Sequence, residues 1–148
     1  MSRKSVAKVV AMGLAIGAVF AMGVAGPASA APVKFPVDVV VHTDFSGAPS
    51  MFEGNIPGCA TGTVEDVAGD PRFTVWGGVY VGEKEFTCDG GVGGFTVSLK
   101  ARFGEFGSTG TWNITDAWGW YEGVKASGSL TGTPSDLGID DRYTGSAH

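Results

Sequence analysis

Between Phe95 and Phe103 apolar and polar side chains alternate without a break. Phe95, Val97, Leu99, Ala101 and Phe103 share one face, and Thr96, Ser98, Lys100 and Arg102 share the other. A period of two with one wet face marks a strand in an antiparallel sheet, because successive side chains point to opposite sides. Shorter runs of the same kind predict strands at Val37–His42, Thr61–Val67, Phe73–Val81, Glu85–Cys88, Thr109–Thr115, Val124–Thr133 and Arg142–Ala147. Turn chemistry separates them at Ser46–Ser50, Ala68–Pro71, Asp89–Gly94 and Gly104–Ser108. No window of ten or more residues carries a capped 3.6-residue period, so helix is not expected. Short strands at this spacing predict an all-β sandwich or barrel.

The pattern also says how an interior would be filled. Trp112 and Ile114 share a face, and Val124, Ala126, Gly128, Leu130 and Gly132 share the corresponding face of the next predicted strand. Large residues thus stand against small ones, Trp112 against Gly128 in particular. Small barrels fill their interiors this way, and glycine lets a strongly coiled strand bend. Between these strands lie Trp118, Trp120 and Tyr121. Alternation predicts that Trp118 and Trp120 bury together while Tyr121 turns its hydroxyl to water. The three are expected to plug one barrel end. They are also the candidate ligand-binding residues, since such a cluster can stack on a sugar or a planar molecule.

The first thirty residues have a different character. A basic start at Arg3, Lys4 and Lys8 precedes an apolar run from Val9 to Val24 and the small-residue ending Pro27-Ala28-Ser29-Ala30. This is the layout of a secretory signal peptide cleaved after Ala30, leaving residues 31–148 as one domain of a secreted protein. Cleavage takes the formal charge from −5 to −8, because no acidic residue precedes Ala31. So acidic a surface disfavours nucleic acid and anionic membranes, and after cleavage no membrane partner is expected. Cys59 and Cys88 are the only cysteines and both lie in the exported part, where disulfides persist; a bridge between them is expected. Its loop length corresponds to roughly 3 to 4 kcal/mol in the chain-entropy model.

The run "GTWNITDAWGWYEGVKASGSLTGTP", preceded by "FTCDGGVGGFTVSLKARF", resembles the C-terminal half of small secreted bacterial proteins related to the allene oxide cyclase and dirigent-like barrels. The likeness covers residues 86–134, with weaker agreement at "FEGNIPGCATGTV" and "IDDRYTGSAH", and it departs from the usual pattern at Asp116-Ala117-Trp118. It implies a calycin-like antiparallel barrel of about eight strands around an apolar interior. In related cyclases the lumen moulds a flexible substrate, so catalysis needs no sequence motif.

Other chemistry fails on inventory. There is no G-x-S-x-G elbow, and His148 is terminal, so hydrolytic catalysis is not expected and His42 is read as a structural or surface residue. Glu65-Asp66 lie on opposite faces of a strand, and Glu83 with Glu85 reads as solvated edge charge. "SDLGIDD" lacks the spacing of a calcium loop, "GGVGG" has no P-loop lysine, and no cofactor or metal is expected. Two function classes remain: a non-catalytic module that binds a small apolar or aromatic ligand or an extracellular partner, and a cyclase- or isomerase-like enzyme acting in the lumen. No catalytic residue is assigned. Oligomeric state is not legible in the chain.

Overall fold

The computed structural model describes residues Val33–His148, so the leader assigned to residues 1–30 lies outside the described residues. Eight strands follow in order: β1 Phe35–Asp44, β2 Ser50–Ile56, β3 Cys59–Thr74, β4 Gly77–Cys88, β5 Gly93–Gly104, β6 Gly107–Gly119, β7 Ala126–Pro134 and β8 Gly138–Ala147. Each pairs antiparallel with its neighbour in the chain, and β8 returns to β1, closing an up-and-down barrel. The expected single antiparallel barrel is therefore present and the sandwich is not. One turn of 3-10 helix, Asp89–Gly91, joins β4 to β5 where "GGVGG" begins.

A meander puts its connections alternately at two ends. The β1–β2, β3–β4, β5–β6 and β7–β8 turns ring one end, here the mouth. The remaining connections and the beginning and end of the barrel lie at the other, the base. Alternation along every strand sends one residue in two inward, and the innermost positions are apolar: Val41, Phe52, Phe86 and Val97 are almost completely buried. Rings fill much of the space. Phe86 stacks on Phe95 at 5.1 Å and meets Tyr143 edge-on at 5.7 Å.

Room for those rings comes from glycine on the facing strand. Phe52 lies opposite Gly62, Leu99 opposite Gly82, Phe103 opposite Gly78, and Trp112 opposite Gly128. The Trp112 indole crosses two strands, donating from Nε1 to the carbonyls of Ser129 (3.0 Å) and Thr144 (3.3 Å). It passes over β7 and β8 at the level where Gly128 pairs with Gly145. A side chain at Gly128 would collide with the Thr144 carbonyl and the Gly145 Cα. The closest obstruction at Gly128 is thus the backbone of β8.

Cys59 and Cys88 are disulfide-bonded and both buried, 29 residues apart in the chain, stapling the start of β3 to the end of β4 at the base. The wall is looser toward the mouth. β2 is short, its pairing with β3 ends at Ser50–Val64, and β3 beyond Val64 pairs with β4 alone. That free edge carries Asp66, Asp70 and Pro71 and a register shift between Asp66 and Ala68, features that blunt edge-to-edge association.

The same region holds the departures from the pattern-based expectation. Ala68–Pro71, expected as a turn, runs inside β3, because a proline is tolerated where no neighbour needs its N–H. Phe73–Val81, expected as one strand, contains the β3–β4 turn at Val75-Trp76, whose apolar apex disguises it. β2 was not anticipated: Gly54, opposite Val39, interrupts the inward series Phe52, Gly54, Ile56.

Gly128→Ala is expected to lower stability by about 1 to 3 kcal/mol, the usual scale for overpacking. Thermal melts measure it, and an unchanged midpoint would show that the β8 backbone does not constrain this position.

Candidate functional site

The two halves of the lumen differ. At the base the enclosed space is only about 30 Å³ and is walled by apolar surface from Val37, Val39, Phe95, Trp112, Tyr121 and Ala126, among others. A space that small without a polar partner offers water no hydrogen bonds. Toward the mouth it widens to about 440 Å³, within the range of small-molecule sites, and its lining changes character. Leu99, Ala101, Phe103 and Leu130 supply apolar walls, while Thr43, Asp66, Lys84 and Asp141 bring polar groups.

Strand parity places those polar groups inside. Lys84 shares its face of β4 with Phe86 and Cys88, so its stem runs into the core and only 8% of the residue stays exposed. Its Nζ donates to Asp66 Oδ1 at 2.6 Å from the facing position on β3. The Tyr80 hydroxyl donates to the same oxygen at 3.3 Å. Burial, and then the negative charge of Asp66, push the Tyr80 phenol up to about 12, so it remains a donor at any ordinary pH. Across the lumen Ser108 Oγ donates to Asp141 Oδ1 at 3.4 Å. Burial raises the Asp141 carboxyl above its ordinary value; the positive charge of Lys84 and the Ser108 hydrogen bond oppose that rise without cancelling it.

Two hydroxyls are buried without a hydrogen-bond partner, Thr43 Oγ1 in the lining of the mouth cavity and Tyr143 Oη, whose residue lines the base space. Tyr143 is 2% exposed, with its ring between Phe86 and Trp112. Burial above all, and next the nearby charges of Asp141 and Asp66, hold its phenol protonated. An unpaired buried hydroxyl costs about 1 to 3 kcal/mol; the one at Thr43 lines the mouth cavity, where a polar ligand group would satisfy it, whereas Tyr143 lines the packed base space.

The aromatic cluster is divided among three environments instead of forming one surface. Tyr121 is the buried member, its ring edge-on to Phe95 at 6.2 Å and its hydroxyl donating to the Pro57 carbonyl at 2.8 Å. Trp120 is 77% exposed. Trp118, half-buried, lies over Gly94 on the adjacent strand. The expected orientations of Trp120 and Tyr121 are thus reversed. The cause is local: Gly119 adopts φ +67, and the Tyr121 and Glu122 N–H groups bond back to Trp118 and Gly119, turning the chain so that Tyr121 swings inward. An end plug does exist, but it is Tyr121 alone, and it closes the base, away from the polar cavity.

His42 stands outside the barrel, its Nδ1 2.8 Å from Asp140 and its Nε2 3.8 Å from Glu53, an exposed surface cluster. Glu83 and Glu85 flank Lys84 on the outer face, but they are partly buried on a strand paired at both sides and are not the solvated edge charges expected. The polar mouth residues were missed by residue-type reasoning. Parity could have found them, because Lys84 alternates with Gly82 and Phe86, and Asp141 with Ile139 and Tyr143, on faces otherwise apolar.

Fold and site together define an eight-stranded up-and-down barrel that is packed at the base and open, with a polar floor, at the mouth. No protein-family model, curated protein or solved structure matches the chain.

Tyr121→Ala should lower stability by up to about 3 to 5 kcal/mol, the scale of a lost buried ring, whereas Trp120→Ala should leave the melting midpoint within experimental scatter. Equal effects in thermal melts would contradict the assignment of the plug.

For Asp141, a carboxyl raised in the folded state stabilises the fold at low pH, and that contribution is lost as pH rises from 3.8 through the folded value. Lys84→Met removes the charge that opposes the rise. The Asp141 carboxyl, followed by carbon NMR titration, should therefore move further up, and the acid-side stability window should extend to higher pH. A downward or absent shift would place Lys84 out of its reach.

Proposed function

We propose that this protein is exported and binds a small amphipathic molecule in the open half of its lumen, holding it without transforming it. The carrying observation is the cavity of about 440 Å³ lined by Lys84, Asp141 and Thr43, whose buried hydroxyl has no partner. A ligand with an apolar or aromatic body would lie against Leu99, Ala101, Phe103 and Leu130. Its polar group would accept from Thr43. Export is supported by the leader pattern and by the buried disulfide, which persists in oxidising compartments. Among the described residues no helix is long and apolar enough to cross a membrane. The resemblance to allene oxide cyclase and dirigent-like barrels supports a lumenal site of this kind.

Lumenal proton-transfer chemistry of the cyclase or isomerase type is the second reading. It is favoured by Asp141, a carboxyl raised by burial and facing the same cavity as Lys84. Mass spectrometry of a bound compound distinguishes the two: recovery unchanged supports holding, and conversion supports catalysis.

The test uses 1-anilinonaphthalene-8-sulfonate, an aromatic body with a polar group, as the probe. Ala101→Phe fills the mouth and should weaken probe binding at least tenfold. Thr43→Val removes an unpaired hydroxyl that lines the cavity, so it should raise the stability of the free protein by about 1 kcal/mol while weakening the probe. Unchanged fluorescence titrations for both variants would overturn a lumenal site.

A further inference from the structure

The large apolar side chains that the barrel leaves exposed are concentrated at one end. Apart from Val33 and Trp120, all those among the described residues belong to the turns at the mouth or to the strand segments leading to them. Each of the four mouth turns carries at least one near its apex. Phe45 is 73% exposed, Trp76 91%, Phe106 90% and Leu137 69%. The tips form a rim and are not scattered. The Phe45 N–H donates to the Leu137 carbonyl at 3.0 Å, joining two of them, and the backbone of Trp76 packs at Gly104 beside the β5–β6 turn that bears Phe106. The cavity opens between these pairs, with Phe45, Gly138 and Ile139 lining one side and Phe103 and Gly104 the other.

Three of the four tips repeat one dipeptide pattern, an acid followed by the apolar residue: Asp44-Phe45, Glu105-Phe106 and Asp136-Leu137. The fourth, Val75-Trp76, is preceded by the ion pair Arg72–Asp70. This pattern decides among occupants. A second copy docking mouth to mouth would bring acid against acid at three of the four tips. An anionic surface would be repelled in the same way. A rigid protein would have to touch projecting tips on both sides of an open recess, whereas a lipid–water interface yields around each tip separately. Aromatic side chains with a polar neighbour favour that interface, and neutral headgroups bearing an ammonium complement the acids.

We propose that the four mouth tips dock the barrel, mouth down, onto a zwitterionic lipid surface, with Phe45, Trp76, Phe106 and Leu137 entering the headgroup layer. Docking covers the cavity opening, so an amphipathic molecule passes between lipid and lumen without crossing water. The chain's acidity excludes an anionic membrane and leaves a neutral one open, which revises the expectation that no membrane partner exists.

The test is flotation of the processed chain, starting at Ala31, with vesicles of phosphatidylcholine alone and with one-third phosphatidylglycerol added. Partitioning into phosphatidylcholine is expected, weaker when phosphatidylglycerol is present. Trp76→Ser with Phe106→Ser should reduce it at least tenfold at an unchanged melting temperature, because both side chains stand in solvent. Ala101→Phe, which blocks the lumen, should float like the parent chain; this separates docking from lumenal binding, since each can fail alone. No flotation, flotation indifferent to the tip substitutions, or flotation strengthened by phosphatidylglycerol would overturn the proposal. So would a lipid-free dimer, seen in sedimentation, that the tip substitutions abolish.

Discussion

Within the barrel, one large side chain after another stands opposite a glycine: Val39 and Gly54, Phe52 and Gly62, Leu99 and Gly82, Phe103 and Gly78, Trp112 and Gly128, Leu130 and Gly110. An eight-stranded barrel has too narrow a lumen for two large residues to face each other at every level, and too wide a one for small residues alone. Pairing large with none at all resolves the conflict and gives the wall its curvature, because strands without a Cβ approach more closely. The rings then lie along the facing wall instead of pointing across the lumen. At Trp112 this brings the indole to the carbonyls of β7 and β8, so one side chain braces two strands.

The difference between the two ends follows from where this packing stops. At the base, the ring of Tyr121, the cluster Phe86, Phe95 and Tyr143, and the Cys59–Cys88 bridge leave almost no free volume. Toward the mouth the inward positions pass to Lys84, Ser108, Ala101 and Asp141, which are smaller or polar, and β3 loses its β2 neighbour after Val64. Less apolar volume on a looser wall leaves a cavity. The packed half supplies the stability that the open half gives up.

That arrangement carries a cost located in identifiable atoms. A lysine kept 8% exposed, a carboxyl raised by burial and two hydroxyls without partners are each unfavourable in the free protein. All but the Tyr143 hydroxyl line the mouth cavity. The exposed aromatic tips around the same opening extend the pattern to the surface, where four turns present apolar side chains to solvent. Stability is given up on a single axis of the molecule, from the cavity floor to the rim.

The sequence by itself determined the strand character of most of the wall, the Trp112–Gly128 level and the disulfide partners. These depend on local alternation and on there being only two cysteines. The site was less legible. Trp118, Trp120 and Tyr121 sit within four residues, yet a single positive φ at Gly119 sends them to three environments, and a period-two reading cannot see such a turn. The β3–β4 turn escaped for a related reason, since its apex, Val75-Trp76, is apolar where turns are ordinarily polar or glycine-rich. Lys84 and Asp66 are cross-strand partners on β3 and β4, but Asp141 and Tyr143 of β8 come near them only across the closed lumen, up to 77 residues apart in the chain. Alternation fixes which way each side chain points; only closure of the barrel decides what it meets there.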